Sequence, residues 1–584
     1  MLKECLEVFE TQMKACKDPD DIILGDYVPA DGTYVVVKLD GSITHQEIKF
    51  NKKTKALELI PSNYEELKFY DYHSRLVSMD KPQDPKKIIH SNNYLSFWVK
   101  KESFHNGKFN EEAIDRYFQA VKEPLEKYKK AQEIALYQEV EKEVGVVDVA
   151  MVEKHRKWVQ ENIFELEAQG IPMQNKDYLK IFFEAPRETY ISEEKRYLYV
   201  KLFNNNDYNV SINSEIIGLP GDNLGYNSNK LYLKQANRKI SVLTLLTTKE
   251  ALLQKKFFEY LLNQATHGRN NVYINLEEGK IFAKEKGELP NSDFTGLFLQ
   301  IQKRPKITEA VILYQDSIVA YKNTLQPAFH FENVLGKKDI KEEYKVYSAK
   351  KDLQRLINTI FFSECLVSNY FTAPEDLSIT DSDIKRNLLK IRGAIFTWLY
   401  KGQSSGIEKL LWKTGMELTK KSTAKGYLQK AIRQFNLAIS FQKHHKGGEN
   451  MAYSYEDINK ELRRKINEEI EEAEWKIEND KEYFFAVGQL VSYFLSLSKA
   501  KEIMHSLANP FFNMTDQQQL KNKLQQMFKK YNHEIRKGTK RFNRLYAMIS
   551  KYDLEGKMDG NEIVAGYLSD NLIYEKSKED TKNE

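Results

Sequence analysis

Cysteine is nearly absent: three residues in 584, Cys5, Cys16 and Cys365, none in CxxC spacing. That excludes a disulfide framework and a zinc knuckle, and it predicts a reduced, cytoplasmic protein. Long apolar runs are missing too, and crossing a bilayer takes ~20 residues. The most apolar window, Phe484 to Leu497, is interrupted by Gln489, Ser492 and Ser496 and predicts a buried helix. The N-terminal stretch carries Glu4, Glu7 and Glu10 among its apolar residues, without the apolar core or cleavage site of a signal peptide. No membrane partner is expected. Neither sign of charge dominates, since 89 Lys+Arg against 84 Asp+Glu leave +5. Partners must therefore be read from where charges cluster. HExxH, GxSxG, a Gly-Lys-Ser/Thr phosphate loop and the kinase signatures are all missing. No nucleophile is paired with a base, so neither an enzyme nor a cofactor is expected.

What is present is a folded, aromatic-rich chain: 34 Tyr, 31 Phe and 5 Trp, with 41% hydrophobic and 30% charged residues. The length predicts two to four domains. Leu2, Leu6, Phe9 and Met13 recur at helical spacing. Tyr34 to Leu39, Asp40-Gly41 and Ser42 to Ile48 predict a hairpin with a two-residue turn. Tyr94 to Val99, Tyr178 to Phe183, Tyr197 to Leu202 and Asn271 to Leu276 read as strands, separated by helical stretches near 110–169 and 249–264. From about Ile340 strand signals nearly vanish. Helices are predicted over 352–370, 381–400 and 407–441, and again from Tyr455, where Ile458, Leu462, Ile466, Ile470, Ala473 and Ile477 continue one stripe. Thr515 and Gln518 form a capping-box pattern. The expectation is α+β: a mixed N-terminal domain over 1–339, a helical connection over 340–450 and a helical bundle over 451–584.

Three segments could meet nucleic acid. On a helix from Leu520 to Met548, Leu520, Leu524, Met527, Phe528, Tyr531, Ile535, Phe542 and Leu545 fall within an arc of roughly 100°. Lys529, Lys530, Arg536, Lys537, Lys540, Arg541 and Arg544 take most of the opposite side, with Glu534 the only nearby acid and Gly538 a potential break. Several cations on one face suit phosphates; the competing reading is a solvated face beside the acidic stretch Glu468 to Glu482. The second segment, Lys86, Lys87, His90, Asn92 and Asn93 before Tyr94 to Lys101, combines amides, cations and aromatics. Against it stands an ordinary turn before a buried strand. The third, Phe203 to Lys239, is a long Asn- and Gly-rich loop with Asn223, Asn227, Asn229 and Lys230. Its glycines do not fit a nucleotide cradle. His444-His445 reads as a solvated pair, and Asp381 and Asp383 as helix caps rather than metal ligands.

Five blocks, in order along the chain, carry a resemblance. They are Gly25-Asp-Tyr-Val-Pro-Ala-Asp-Gly-Thr33, Asp71-Tyr-His-Ser-Arg-Leu-Val-Ser-Met-Asp-Lys-Pro82, Lys86 to Trp98, Gly218-Leu-Pro-Gly-Asp-Asn-Leu-Gly-Tyr-Asn227 and Ala565-Gly-Tyr-Leu-Ser-Asp-Asn-Leu-Ile-Tyr574. Together they resemble the large subunit of the type I-B CRISPR Cascade, the crRNA-guided surveillance complex. The resemblance implies a non-catalytic subunit beside the crRNA 5′ end that inspects double-stranded target DNA for a protospacer-adjacent motif and helps to open it. It implies as partners the crRNA, the backbone and crRNA 5′-end-binding subunits, a small subunit and a helicase-nuclease. Its C-terminal helices would steady the opened DNA. Some large subunits carry zinc-binding cysteine pairs, which this chain cannot form. No motif-reading residue is implied; the segments at Lys86–Asn93 and Asn223–Lys230 are the candidates. Small subunits of such systems are often made from within the large-subunit gene. Lys446-Gly-Gly-Glu-Asn-Met451 can be encoded with a purine-rich GGAGG before Met451, so residues 451–584 are expected also as a separate product. Two other functions compete: a helical scaffold whose basic stripe meets an acidic partner, and a nuclease with a dispersed metal site.

Overall fold

The helical spacing at the start of the chain forms α1 (Leu2–Ala15), which buries Cys5, Val8, Phe9 and Met13. The computed structural model describes residues 1–51, 54, 56–203, 205–213, 215–220, 245–303, 310–337, 344–403, 406–445, 455–467, 475–536 and 539–574. The fold is α+β, and the chain divides into two units: Met1–Lys286 with Thr295–Ser317, and Gly287–Phe294 with Ile318–Glu584.

In unit 1 the expected hairpin forms from β1 (Gly32–Val37) and β2 (Ile43–Ile48), paired antiparallel. Its turn is longer than two residues: Lys38 N–H bonds the Ser42 carbonyl at 2.8 Å, and Gly41 N–H bonds the Lys38 carbonyl at 2.9 Å. Gly41 has φ +86°, the left-handed position a turn with a bulge requires. Next come α2 (Tyr64–Ser74), β3 (Ser96–Lys100), α3 (Glu111–Lys122), α4 (Ala131–Val144), α5 (Val149–Asn162) and β4 (Tyr178–Phe183). The first sheet has the order β2-β1-β4-β3, with β1 and β4 parallel from Gly32↔Tyr178 to Val37↔Phe183.

The segment Tyr197 to Leu202 is not a strand. It closes helix α6 (Arg187–Lys201), buried over much of its surface. Its aromatic and β-branched residues read as strand, but the preceding Glu-Glu-Lys-Arg favours helix and burial on several sides removes any alternation. Then follow α7 (Thr248–Thr266), β5 (Asn271–Asn275), β6 (Lys280–Lys284), β7 (Phe294–Lys303) and β8 (Ala310–Tyr321). The order β6-β5-β7-β8 makes the second sheet. Periodicity did not identify β6, β7 or β8: β6 is a short run that reads as helix or strand alike, and β7 and β8, at 10 and 12 residues, exceed the usual strand length. One hydrophobic core joins residues from both sheets with α1, α2, α3, α5 and α7; within it Phe9 meets Phe257 at 5.4 Å between ring centres.

Through this core runs a charged network seeded by the block Asp71-Tyr-His-Ser-Arg75. Asp71 accepts from Tyr27 Oη at 2.6 Å and Tyr34 Oη at 3.0 Å, and it pairs with Lys180. Lys180 Nζ lies 4.0 Å from the Trp98 ring, and burial lowers its pKa. Arg75 pairs with Glu259 between the rings of Tyr27 and Tyr72. Lys255 bonds Glu259 at 2.8 Å, and His73 Nδ1 lies 2.6 Å from Glu194. Burial alone would raise the Glu259 carboxyl, but Arg75 and Lys255 outweigh it and hold it at about 2. Buried charges persist when each is paired and hydrogen-bonded.

Unit 2 begins with a strand pair, β9 (Thr324–His330) and β10 (Val346–Ala349), antiparallel to each other. Phe329 of β9 packs at 4.4 Å on Phe441, so the compositional change near 339 falls inside this unit. The helices are α8 (Lys350–Phe362), α9 (Ser382–Lys401), α10 (Ile407–Ala424), α11 (Leu428–His445), α12 (Tyr455–Asn467), α13 (Asp480–Ser496), α14 (Gln517–Tyr531), α15 (Lys540–Lys551) and α16 (Gly560–Leu568). Asp381 caps α9 as expected, accepting from the Asp383 and Ile384 amides. The α14 cap is Asp516, not Thr515, and it accepts from the Gln519 amide.

The apolar window around Phe484 is the buried helix α13. It packs backbone-close on α16: a Cβ at Gly488 would lie 2.2 Å from the Ile563 carbonyl oxygen, and one at Gly566 2.0 Å from that of Phe485. Fully buried Gln489 bonds the Gly566 carbonyl at 2.7 Å and accepts from the Leu572 amide at 2.8 Å. The closing Ala565–Tyr574 block is thus a packing element. Among the described residues no helix is long and apolar enough to cross a membrane.

Candidate nucleic-acid interface

The expected single helix from Leu520 to Met548 is instead two, α14 and α15, with a 3-10 turn at Asn532–Glu534. They form an antiparallel hairpin. Gln517 Nε2 donates to the Tyr552 carbonyl at 2.8 Å, joining the start of α14 to the end of α15. Phe528 stacks on Phe542 at 6.1 Å and meets Tyr546 at 5.3 Å. Folding back lets part of the apolar arc pack against itself, which a straight helix could not do.

The break redistributes the cations. Instead of a stripe along ~40 Å of helix, Lys529 and Lys530 from the last turn of α14 gather near Arg536, Lys540 and Arg541 at the tip. Lys529, Lys530, Arg536 and Lys540 are exposed and make no ion pair among the described residues. Glu534 is held by Lys499 at 2.6 Å and lies 3.2 Å from His533 Nε2. Arg544 is not part of the tip: its guanidinium sits 4.4 Å from the Trp475 ring and donates to the Ile466 carbonyl at 3.4 Å. Lys537 and Gly538 lie outside the described residues.

Asp84 organises the second candidate segment. It is fully buried, pairs with Arg116 Nε at 2.8 Å, and accepts the amides of Lys86 (3.1 Å), Ile88 (2.7 Å) and Ile89 (3.1 Å). Burial would raise its pKa; Arg116 and these amides together hold it low. Lys86 and Lys87 are exposed on this loop, with pairs to Glu112 and Asp80 at 3.4 and 3.3 Å.

His90, Asn92 and Asn93 are not surface readers. His90 is buried, with Nδ1 2.7 Å from Tyr178 Oη and Nε2 2.9 Å from the Lys87 carbonyl. The carbonyl can only accept, so Nε2 carries the proton, and burial lowers the ring's pKa. Asn92 donates to the carbonyls of His73 (3.1 Å) and Arg75 (2.9 Å). Asn93 donates to the Asn92 side chain at 2.6 Å and accepts from the Leu95 amide at 2.9 Å. With Asn92 1% and Asn93 2% exposed, both amides brace the approach to β3. Of this segment only Lys86 and Lys87 remain presentable.

Asn223, Asn227, Asn229, Lys230 and Met451 lie outside the described residues. His444 is half-buried with its ring 5.5 Å from Phe329, not a solvated partner of exposed His445. Among the described residues no group of three His, Cys, Asp or Glu is arranged to hold a metal ion. Sequence reasoning passed over a second cationic surface on α9 and α10, whose charges are scattered among ordinary helix residues. A window count of charge would have found it.

Comparison with protein-family models, with curated proteins and with solved structures found no match to this chain.

Proposed function

We propose that this chain is a non-catalytic, DNA-binding large subunit of a crRNA-guided complex of the type I-B Cascade kind. In that role it contacts target duplex beside the crRNA 5′ end, recognises the protospacer-adjacent motif, promotes opening of the duplex and leaves cutting to a recruited helicase-nuclease. One observation supports the DNA-binding part of this reading: at the tip of the α14–α15 hairpin Lys529, Lys530, Arg536 and Lys540 are exposed and make no ion pair among the described residues, and Glu534 beside them is paired to Lys499. Phosphate binding releases counterions, so affinity falls steeply with salt, and removing each contact flattens the slope by about 0.9 on B-DNA.

The test is target binding by the assembled complex, on guide-matched duplexes that differ in the flanking motif. Lys529, Lys530, Arg536, Lys540 and Arg541 changed to Gln should weaken binding, flatten its salt dependence and keep motif discrimination. Omitting the chain should abolish discrimination; discrimination without it would place the motif reader elsewhere and defeat the proposal. Residues 451–584 are proposed to be made also as the small subunit. A Met451 codon changed to a non-start codon should remove that product, and its persistence would refute the internal start.

A further inference from the structure

We infer that α9 and α10 carry a second nucleic-acid surface, a track for a single strand. This rests on the nucleic-acid reading above for its ligand class, but on none of the same residues. Residues 381–445 hold 13 Lys and Arg against 4 Asp and Glu, a net +9 in a chain whose total is +5. The few acids are shared. Glu417 accepts from Arg386 at 2.6 Å through one oxygen and from Lys390 at 3.2 Å through the other. Lys425 lies 3.0 Å from both Asp381 and Asp383, and Lys421 3.9 Å from Asp383. A carboxylate between two cations holds both long side chains in place and leaves the pair positively charged.

Along α10 the cations step by one turn. Lys409, Lys413, Glu417 and Lys421 follow at i+4, each ~6 Å further along the axis. Lys409 and Lys413 are exposed and make no ion pair among the described residues. On α9 the row Arg386, Lys390 continues to Gly393, where nothing lies within 4 Å of the position a Cβ would take. A strand could approach the backbone there. In the turn after α10, two residues past Lys425, Tyr427 is 59% exposed. An exposed ring at the end of a cationic row is a stacking platform for an unpaired base, and duplex DNA keeps its base faces covered. A protein partner fits less well, because interface cores are depleted of charge and of lysine. Leu410 is the sole large exposed apolar side chain on α9 and α10 among the described residues.

The test is fluorescence anisotropy of the full chain with labelled oligothymidylate, a duplex of equal length and polyglutamate, across a salt series. The proteins compared are wild type, Lys409→Gln/Lys413→Gln/Lys421→Gln, Tyr427→Ala and the Gln variant of the α14–α15 tip, each with its thermal midpoint. The triple variant should lower the single-strand salt slope by about 2, at roughly 0.7 per cation. Tyr427→Ala should weaken single-strand binding about tenfold, with duplex binding and thermal midpoints unchanged. Single-strand binding unaltered in the triple variant, while the tip variant loses duplex, overturns this inference and spares the proposed function. Loss of polyglutamate binding equal to the loss of single strand assigns the face to acidic proteins and overturns it too. If neither variant set changes any binding, both readings fall.

Discussion

In unit 1 cations are drawn inward: Lys180 closes on Asp71, Lys255 on Glu259 and Glu194, Arg196 on Glu193, all nearly or fully buried. In unit 2 most of the described ones stand on helix surfaces; buried Lys350, and buried Lys465 at 2.8 Å from Glu482, are exceptions. The sequence ranges agree, with 45 Lys+Arg against 46 Asp+Glu in unit 1 and 44 against 38 in unit 2. Spending charge on internal pairs fixes where side chains sit but leaves little field outside. Leaving it on helix faces adds little stability and creates surfaces that phosphates can meet.

The largest effect that would test this contrast is in the unit 1 network. Lys180→Met leaves Asp71 buried and uncompensated, and should cost about 3–5 kcal/mol by urea denaturation. Adding Asp71→Asn should recover much of that loss; no recovery would mean the pair is not the unit of stability. In unit 2 the sensitive feature is backbone contact rather than charge. Gly566→Ala puts a methyl against the Phe485 carbonyl and should cost about 2–3 kcal/mol, because backbone cannot swing aside.

The two units should also answer pH with opposite sign. Glu259 in unit 1, held at about 2, adds stability above the ordinary carboxylate range that is lost as pH falls toward 2. In unit 2 burial, then Asp559, raises Glu562, against the pull of Lys481 and Tyr455, to about 7 from 4.5. Folded protein then binds the proton more tightly than unfolded, so stability falls as pH rises from about 4.5 to 7. Glu562→Gln should remove that fall, gaining about 3 kcal/mol at pH 8 and nothing near pH 4; equal effects at both pH values would refute it.

The smallest expected change is at Lys87, which has φ +57°. A left-handed residue costs ~1–2 kcal/mol, and glycine loses ~0.4–1 more in unfolded entropy. Lys87→Gly should therefore stabilise by about 0.5 kcal/mol, read as a small rise in thermal midpoint.

Much of the fold was legible where periodicity was strong: α1, the β1–β2 pair, β4, α9 and α13 all lie close to their predicted stretches, while the single stretch expected over 407–441 is two helices, α10 and α11, parted at Lys425–Tyr427. The failures share one cause. Tyr197 to Leu202 and the strands β6 to β8 have local patterns that fit more than one element, and only the neighbours choose. The candidate site shows the same limit. Asn92 and Asn93 have the chemistry to read a base, but which of their polar atoms face water depends on His73 and Arg75, far from them along the chain.

By itself the sequence determined the α+β class, the helical second half, the buried helix around Phe484 and the Asp381 cap, because each follows from spacing and local hydrogen bonding. Tertiary structure alone decided that the Leu520–Met548 stripe folds into a hairpin with its cations at the tip. It alone also decided that the block Asp71 to Arg75 is an internal ion-pair network. Those outcomes turn on which distant residues share the core, Phe542 under Phe528 and Lys180 beside Asp71, and no local pattern encodes that.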